Sequence, residues 1–384
     1  MTHALPRPAV GQSGLQVRGI SKRYDRLVLD NIDLTVAAGE LLTLTGPSGA
    51  GKTTTLRIIA GLEHQSAGTV VIGGDNVDAL PPGRRRVALM FESYALYPHL
   101  TVRENALSPL QAPNSGPFAD AEAKRKIVDD VLALLEIGEL ADRLPAALSG
   151  GQKQRVALAR TLVQDPSVFL FDEPISHLDA KLRHRLRGEL RRRLAAHGSP
   201  AVWATPDAME ALSVGDRVAV IQSGQIEQIG TPRDLWERPQ TTRVAQLVGD
   251  PPMNLIAGTL GSSSDRVHFV VGSSRIGLPP ALARAVSHRN TRDVMLGVRP
   301  DALALTEEAG VEADIYANEP FGKYAIVTVA LENGLAKIKT SMTAAAKAGG
   351  GVGEGIGRKV KIAFPADRLM LFDTESGRVV PAPD

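Results

Sequence analysis

The chain has 384 residues, and its 44 basic and 42 acidic side chains leave a formal net charge of +2, which gives no general field for attracting nucleic acid or membrane. The sequence has no cysteine, so disulfides, thiolate metal sites and cysteine nucleophiles are excluded. No stretch reaches the roughly 18 uninterrupted apolar residues of a membrane span, and the first residues lack the apolar core of a signal peptide, which predicts a cytosolic protein.

The first two thirds of the chain are predicted to form a layered α/β domain. Residues 1–13 are polar and without periodicity, which predicts a disordered extension. Over residues 14–245, apolar strands such as "LLTLT" and "VFLF" alternate with helical patterns. Helices are predicted over 121–136, with Ile127, Val131 and Leu134/Leu135 on one face, and over 180–194, with leucines four residues apart.

The last third, residues 246–384, is predicted to be a small all-β barrel or sandwich. Its short strands alternate apolar and polar side chains, as in "KVKIAF", where Val360, Ile362 and Phe364 share one face. The Gly/Ala-rich segment 342–357 is predicted to be a flexible loop.

The stretch "GPSGAGKTT" follows a predicted strand and opens a predicted helix, which is the context required of a phosphate-binding loop. Its glycines let backbone N–H groups surround phosphates, Lys52 supplies a cation, and Thr53 offers a hydroxyl to Mg²⁺. The predicted nucleotide-binding residues are Gly46, Pro47, Ser48, Gly49, Ala50, Gly51, Lys52, Thr53 and Thr54.

The stretch "VFLFDEP" is a buried strand that ends in two carboxylates. Ligands of α/β sheets bind at the carboxyl ends of strands, so Asp172 and Glu173 are expected at the site. Asp172 is predicted to hold the Mg²⁺ environment, and Glu173 to polarise the attacking water.

A third motif, "LSGGQ", places a Ser-Gly-Gly turn at the start of an amphipathic helix. The Ser149 side chain and the first N–H groups of this helix would form a second anion cradle. The residues of this predicted signature are Ser149, Gly150, Gly151 and Gln152.

These three motifs in this order, over residues 15–375, resemble the nucleotide-binding subunit of ABC transporters. The resemblance implies a P-loop NTPase cassette with a helical arm near residues 100–160, and an OB-like regulatory or dimerisation domain after it. It also implies that Tyr24 stacks on adenine and that Asp179 lies in a loop crossing a dimer interface. The signature of one subunit would close over ATP held by the other.

The stretch "ALMFESYALYPHLTV" and the β-rich tail resemble the importer subfamily for sugars, polyols and glycerol phosphate. The resemblance implies ATP and Mg²⁺ as ligands, two membrane-spanning permease subunits as partners, and a periplasmic or extracellular solute-binding protein acting indirectly. It implies a place on the cytoplasmic face of the inner membrane. The resemblance implies that a groove for a membrane-subunit helix is lined by Tyr94, Tyr97 and Leu100. The other interpretation is that these side chains pack in the hydrophobic core, and a mixture of both is expected.

The chain departs from the family at three positions. It has Glu92 where the family has a Gln that reaches Mg²⁺ and water, Pro206 where the family has a His on the γ-phosphate, and His177 in place of Asn. Losing one donor to a developing charge costs about 10² to 10³ in rate. We therefore expect a degenerate ATP site in this chain and a second, different ATPase subunit as its partner.

Two alternatives remain open for the assembly: a homodimer in which Lys52, Asp172 and Glu173 sustain hydrolysis, and a slowly hydrolysing homodimer that acts as a regulated switch. A different class is a soluble ABC protein acting on nucleic acid or ribosomes. The basic run over 181–194 suggests nucleic acid, but its regular leucines and lack of aromatics indicate an ordinary solvated helix.

Overall fold

The structure, a computed structural model, describes residues 14–112, 120–263, 266–287, 292–308, 310–349 and 355–380. The predicted disordered extension over 1–13 lies outside these ranges. The chain divides into two compact units, one ending at Pro232 and the other beginning at Arg233.

The first unit contains two sheets. In one, with strand order β2-β1-β4-β5, the paired strands are antiparallel; the other has the order β10-β9-β3-β8-β7-β6 and is parallel except for the edge strand β10. The strands are β1 (Leu15–Arg23), β2 (Leu27–Val36), β3 (Leu41–Thr45), β4 (Ala67–Ile72), β5 (Asp75–Asn76), β6 (Val87–Met90), β7 (Val168–Asp172), β8 (Ala201–Thr205), β9 (Arg217–Gln222) and β10 (Gln225–Gly230).

Helices cover the six-stranded sheet because its central strands are apolar on both faces. Every residue of β3, β7 and β8 is buried, which is typical of parallel strands. The helices of this unit are α1 (Lys52–Ala60), α2 (Val102–Leu107), α3 (Ala121–Leu134), α4 (Gly150–Leu162), α5 (Ala180–His197) and α6 (Ala208–Val214).

Two hydrophobic cores lie on the two faces of this sheet. Because strand side chains alternate, Phe169 and Phe171 pack with α2 to α5, whereas Val168 and Leu170 pack with α1 and the antiparallel sheet. The predicted helices are confirmed: Ile127, Val131 and Leu135 contribute to the first core, as do the regularly spaced leucines of α5, which are Leu182, Leu186, Leu190 and Leu194.

The second unit is built mainly of two antiparallel five-stranded sheets with one shared core. Their orders are β13-β12-β11-β14-β20 and β15-β19-β16-β17-β18. The elements are α7 (Pro232–Glu237), α8 (Thr242–Leu247), β11 (Asn254–Ser263), β12 (Arg266–Val271), β13 (Ser274–Gly277), α9 (Pro280–Val286), β14 (Asp293–Val298), β15 (Ala304–Thr306), β16 (Val311–Pro320), β17 (Tyr324–Leu331), β18 (Gly334–Ser341), α10 (Met342–Gly349), β19 (Lys359–Ala363) and β20 (Met370–Asp373).

Two segments differ from the expectations. Residues 233–245, which the sequence analysis placed with the first domain, pack with the second unit: Ala245 lies against Phe372, and the Thr242 N–H donates to the Gly377 carbonyl at 2.8 Å. The loop predicted over 342–357 is wrong for its first half, because the alanine-rich residues form α10 and bury Ala345. Residues 350–354 lie outside the described ranges.

Within the described residues, the helices are all too short or too polar to cross a bilayer.

Candidate nucleotide-binding and catalytic site

The candidate site lies where four parallel strands end. Strand β3 pairs with β8, β8 with β7, and β7 with β6, all in parallel. The pairing of Thr45 with Thr205 and of Asp172 with Ala204 brings these strand ends side by side. The loops that follow the strands therefore leave the sheet at one common edge, as the sequence predicted for the phosphate loop and the two carboxylates.

The phosphate loop depends on glycine for its shape. Gly49 and Gly51 have φ angles of 76° and 111°, in the left-handed region that side-chain-bearing residues rarely adopt. A Cβ added to Gly51 would stand 2.4 Å from Leu29 Cδ2, so a larger residue would have to displace that buried side chain in addition to adopting the strained φ. Pro47, Ser48 and Gly49 are exposed, and α1 begins directly behind them at Lys52.

Lys52 is folded back over its own loop. Its Nζ donates to the carbonyl oxygens of Gly46 at 2.8 Å and Pro47 at 3.0 Å, and the residue is only 6% exposed. Burial lowers the pKa of Lys52, while the negative charges of nearby Glu173, Asp172 and Glu92 act in the opposite direction. These carboxylates favour the charged ammonium, the form that binds phosphate.

Asp172 and Thr53 form the second part of the site. The Asp172 carboxylate is 4% exposed and accepts a hydrogen bond from the Thr53 hydroxyl. Burial raises the pKa of Asp172, the Thr53 hydrogen bond lowers it, and the charge of Glu92 raises it. A hydroxyl and a carboxylate side by side at the foot of a phosphate loop are a donor set that suits Mg²⁺, which prefers oxygen ligands and takes others from the substrate's phosphates.

Glu173 is held in an unusual backbone conformation. Its φ of 50° is left-handed, and its N–H donates to the Ala204 carbonyl at 2.9 Å. Burial raises the pKa of the Glu173 carboxyl, and the charge of Glu92 raises it further. A raised pKa improves a carboxylate as a proton acceptor, so this geometry suits a residue that polarises water.

Glu92 lies on a loop, residues 91–97, whose backbone is held by a side chain of α4. Tyr94 and Ala95 both have left-handed φ angles, of 64° and 45°. Arg160 of α4 donates to the carbonyl of Tyr94 at 2.9 Å and to that of Ala95 at 2.7 Å. Glu92 itself is exposed, and its charge acts on Lys52, Asp172 and Glu173. Three carboxylates thus converge around one lysine.

Pro206 follows β8 at the same edge of the sheet and is exposed. The residues around it form a helix cap: the Asp207 carboxylate accepts from the N–H groups of Met209 at 2.9 Å and Glu210 at 3.0 Å. Proline has neither a backbone N–H nor a side-chain donor. The turn is therefore locally ordinary, and the position beside the phosphate loop lacks a hydrogen-bond donor.

The predicted signature begins α4. Ser149 caps the helix in a reciprocal arrangement, in which its hydroxyl accepts from the Gln152 N–H and its own N–H donates to the Gln152 side chain. Gly150 is exposed. A Cβ on Gly151 would come within 3.1 Å of the His177 carbonyl, so the helix start lies directly against the loop that carries Asp179.

Asp179 and Gln154 hold that loop, which comprises residues 173–179. Asp179 caps α5 by accepting the Leu182 N–H at 2.9 Å. Gln154 is fully buried; its amide donates to the Glu173 carbonyl at 2.9 Å and accepts the His177 N–H at 3.1 Å. Gln154 is not among the site residues that the sequence motifs predict. The available signal was a polar residue on the apolar face of a predicted helix.

Tyr24 lies just after β1 and is 48% exposed. Its hydroxyl hydrogen-bonds to Glu63, and Lys22 Nζ lies 4.6 Å from its ring centroid. The stacking of Tyr24 on adenine remains a prediction from the resemblance.

A phosphate loop after β3, a buried lysine, and two carboxylates at the end of β7, the next strand but one in the same sheet, define the chain as a P-loop ATPase. Residues 29–176 match the family model described as ABC transporter, and residues 249–303 match the MalK OB fold domain. The chain belongs to the ATP-binding subunits of ABC transporters, with a P-loop α/β cassette, a helical subdomain and an all-β OB-like domain.

Relatives of similar length carry names of this family. The sn-glycerol-3-phosphate import ATP-binding protein of Cereibacter sphaeroides is 38% identical over 368 residues, which cover 95% of this chain and 99% of the relative. The xylose/arabinose import ATP-binding protein of Haloferax volcanii is 36% identical over 381 residues, which cover 95% of each chain.

Solved structures match the first unit. The dimeric structure of a bacterial ABC transporter cassette is 30% identical, with a TM-score of 0.53, and covers 57% of this chain and 99% of that one. A dimeric post-hydrolysis state of a cassette bound to ADP and phosphate matches with the same identity, TM-score and coverage. The chain is an ATP-hydrolysing transporter subunit.

Proposed function

We propose that this protein is the ATP-binding subunit of an importer for a small solute: a sugar, a polyol or glycerol phosphate. The observation that carries this proposal is similarity along nearly the full length of both units to import ATP-binding proteins for glycerol phosphate and for xylose or arabinose. In this proposal the subunit lies on the cytoplasmic face of the inner membrane against two membrane-spanning permease subunits. A solute-binding protein on the other side delivers the solute.

Thr53 and Asp172 would hold Mg²⁺ together with the phosphates of ATP, and Glu92 would be the third protein group to contribute. The hydrogen bond between Thr53 and Asp172 supports this, because both oxygens are already adjacent. Bound there, Mg²⁺ would neutralise charge on the phosphates.

In hydrolysis, Lys52 leaves its carbonyl partners to bind the terminal phosphates, and Glu173 orients the attacking water. The water oxygen forms a bond to the γ-phosphorus, its proton passes to Glu173, and ADP leaves with the electrons of the broken P–O bond. Tyr24 would stack on adenine. The raised pKa of Glu173 supports its part as proton acceptor.

We further propose that this chain's own ATP site is degenerate. The observation that supports this is Pro206, which brings no donor to the edge beside Gly46, the position of a phosphate-binding His in the family. Glu92 adds a negative charge where the family has a neutral amide. Both changes act against charge that develops on the phosphate in the transition state.

A heterodimer with a second, different ATPase subunit follows from this proposal. The residues that would serve the partner's ATP are intact: Ser149, Gly150, Gly151, Gln152 and Asp179. Such a pair would have one competent and one degenerate site. The rival proposal is a homodimer whose Glu173 and Lys52 suffice.

The test of the degenerate site is the ATPase rate of the complex purified from membranes, with the wild-type chain and with Pro206→His combined with Glu92→Gln. We expect the double variant to raise the rate at this site by up to roughly 10² to 10³-fold, the contribution of one positioned donor. Because the partner's competent site already turns over in the proposed heterodimer, the rate of the whole complex should rise by up to about 2-fold. Met209→His, which adds an imidazole to the exposed face of α6, is the matched control and should change nothing. Equal turnover in the double variant and wild type would refute the degenerate site.

Native mass spectrometry of the same complex tests the assembly. A tag on this chain should bring down one copy of it, one different ATPase subunit and two permease subunits. Two copies of this chain would overturn the heterodimer and establish that Glu92 and Pro206 support transport by themselves.

A further inference from the structure

His177 connects two loops of the site that are far apart in sequence. Its Nδ1 lies 2.9 Å from the Tyr94 hydroxyl and 3.1 Å from the Ser176 hydroxyl. The rings of Tyr94 and His177 meet edge to face, with centroids 6.2 Å apart and planes at 89°. An imidazole therefore joins residues 91–97, here called the Glu92 loop, to residues 173–179, the Asp179 loop.

The backbone on each side of this contact is held by hydrogen bonds from another side chain. On the Asp179 loop, the backbone of His177 is fixed by Gln154, whose amide also donates to the Ser176 hydroxyl at 3.2 Å. On the Glu92 loop, Arg160 holds the carbonyls of Tyr94 and Ala95. Gln154 and Arg160 both belong to α4, so the helix that opens with the signature holds both loops.

The imidazole also lies close enough to Glu173 that the charge of a protonated ring would lower the pKa of that carboxyl, against the burial that raises it. Burial raises the pKa of Tyr94, and the negative charge of Glu92 raises it further. The phenol thus remains neutral and keeps its proton for a hydrogen bond. The charge of Glu92 thus acts on Tyr94 at one side of the pair, and His177 acts on Glu173 at the other.

We propose that His177 is a positioning residue that links the Glu92 loop to the Asp179 loop through the Tyr94 hydroxyl, so that a movement of one loop is transmitted to the other. The inference rests on the proposed function, because in the importer ATPase proposed above these loops face a permease and a partner's ATP. A permease that displaces Tyr94 would then shift Asp179 without any contact to nucleotide.

The test is hydrogen exchange of the full-length chain, first without nucleotide. Tyr94→Phe and His177→Ala should each speed exchange in both loops by about 2- to 12-fold, as expected for the loss of one hydrogen bond, and leave the second unit unchanged. The double variant should add little to either single variant, since both remove the same contact.

Matched controls separate the link from general destabilisation. Tyr97→Phe removes a hydroxyl from the same loop while keeping the ring that faces Arg160, and His184→Ala removes an exposed imidazole from α5. Neither should change exchange in the Asp179 loop. His177→Asn keeps a polar atom near the position of Nδ1 and should restore slow exchange.

A second measurement adds MgATP. In the wild type, protection should spread from the phosphate loop through the Glu92 loop to the Asp179 loop, and in His177→Ala it should stop before the Asp179 loop. If Tyr94→Phe leaves exchange over 173–179 unchanged, or if the MgATP response of that loop survives in His177→Ala, the link is wrong. Absence of any protection at residues 46–54 with MgATP would instead contradict nucleotide binding, while the nucleotide-free measurement still tests the link.

Discussion

Burial changes the pKa values of the site residues in this protein more than neighbouring charges do. Burial is the largest influence on the pKa of Lys52, Asp172 and Glu173, and in each case it disfavours the charged form. Lys52 and the two carboxylates favour one another's charged forms and so offset part of the desolvation cost, whereas the charge of Asp172 further disfavours ionisation of Glu173. The same principle acts far from the site, at His197.

His197 makes the stability of the first unit depend on pH. Its ring packs edge to face on Phe169 at 4.9 Å, its Nε2 lies 3.1 Å from an Asp165 oxygen, and burial lowers its pKa. The unfolded chain takes up this proton near pH 6.5, whereas the folded chain resists it. The stabilisation is therefore complete above about pH 6.5 and is lost as the pH falls towards the lowered folded-state value.

We expect the free energy of unfolding of the wild type to be unaffected by this residue from pH 8 to about pH 6.5 and to fall below that, by at most about 1.4 kcal/mol per pH unit. His197→Gln should flatten that slope in urea titrations followed by circular dichroism. His184→Gln, on the exposed side of α5, should keep the wild-type slope. An unchanged slope in His197→Gln would contradict this account.

At the scale of elements, the ends of helices decide where loops are held. Helix α1 ends at Ala60 and is capped by Gly61, which has a φ of 77° and whose N–H donates to the Ile58 carbonyl. Glycine is required there, because a Cβ would stand 2.5 Å from Arg85 Nε. Arg85 is 2% exposed and donates to the carbonyls of Ile58 at 3.0 Å and Ile59 at 3.1 Å.

Arg85→Met should destabilise the first unit by about 2 to 5 kcal/mol. Besides the end of α1, Arg85 donates to the carbonyls of Leu80 and Asp78, so its loss leaves several buried acceptors without a partner. Thermal denaturation with and without urea measures the change. The neighbouring Arg84 is exposed, and Arg84→Met should alter stability by less than about 0.5 kcal/mol. Similar losses in both variants would rule out the buried hydrogen bonds as the cause.

For the whole molecule, the two units have separate cores and only the first contains the candidate ATP site. Each unit also contains one of the two tryptophans: Trp203, fully buried in the first, and Trp236, beneath Arg299 in the second. The stability of each unit can therefore be followed separately in one chain.

MgATP should stabilise only the first unit, by about 2.7 kcal/mol at a concentration 100 times its Kd. In Trp236→Phe, the fluorescence transition of Trp203 should shift upwards with MgATP, and in Trp203→Phe the transition of Trp236 should stay in place. Adding Lys52→Ala to Trp236→Phe should remove the shift. Equal shifts of both tryptophans would mean that the units unfold as one.

Much of the geometry of the candidate ATP site could be predicted because its determinants are local. Gly51, Lys52 and Thr53 are consecutive, and Asp172 and Glu173 end one apolar strand, so their conformations follow from neighbours in sequence. The same holds for α5, whose leucines repeat at helical spacing. The loop predicted at Ala345 was wrong because composition alone did not weigh helix propensity and burial together.

What escaped prediction depends on partners remote in sequence. Tyr94 and His177 are 83 residues apart, and the Arg85 side chain reaches back 27 residues to Ile58. The sequence around Gln154 does not indicate which residues of the Asp179 loop it contacts. The parallel pairing of β3, β6, β7 and β8 brings these segments together.

The sequence by itself determined the two kinds of domain, the phosphate loop, the paired carboxylates and the signature, since each is a short pattern whose backbone conformation is set locally. Only the tertiary structure decided that Glu92 acts on Asp172 and Glu173, that His177 joins two loops, and that residues 233–245 belong to the second unit. The physical reason is that electrostatic and hydrogen-bonding partners are fixed by distance in space, which strand pairing and core packing set and local sequence patterns do not encode.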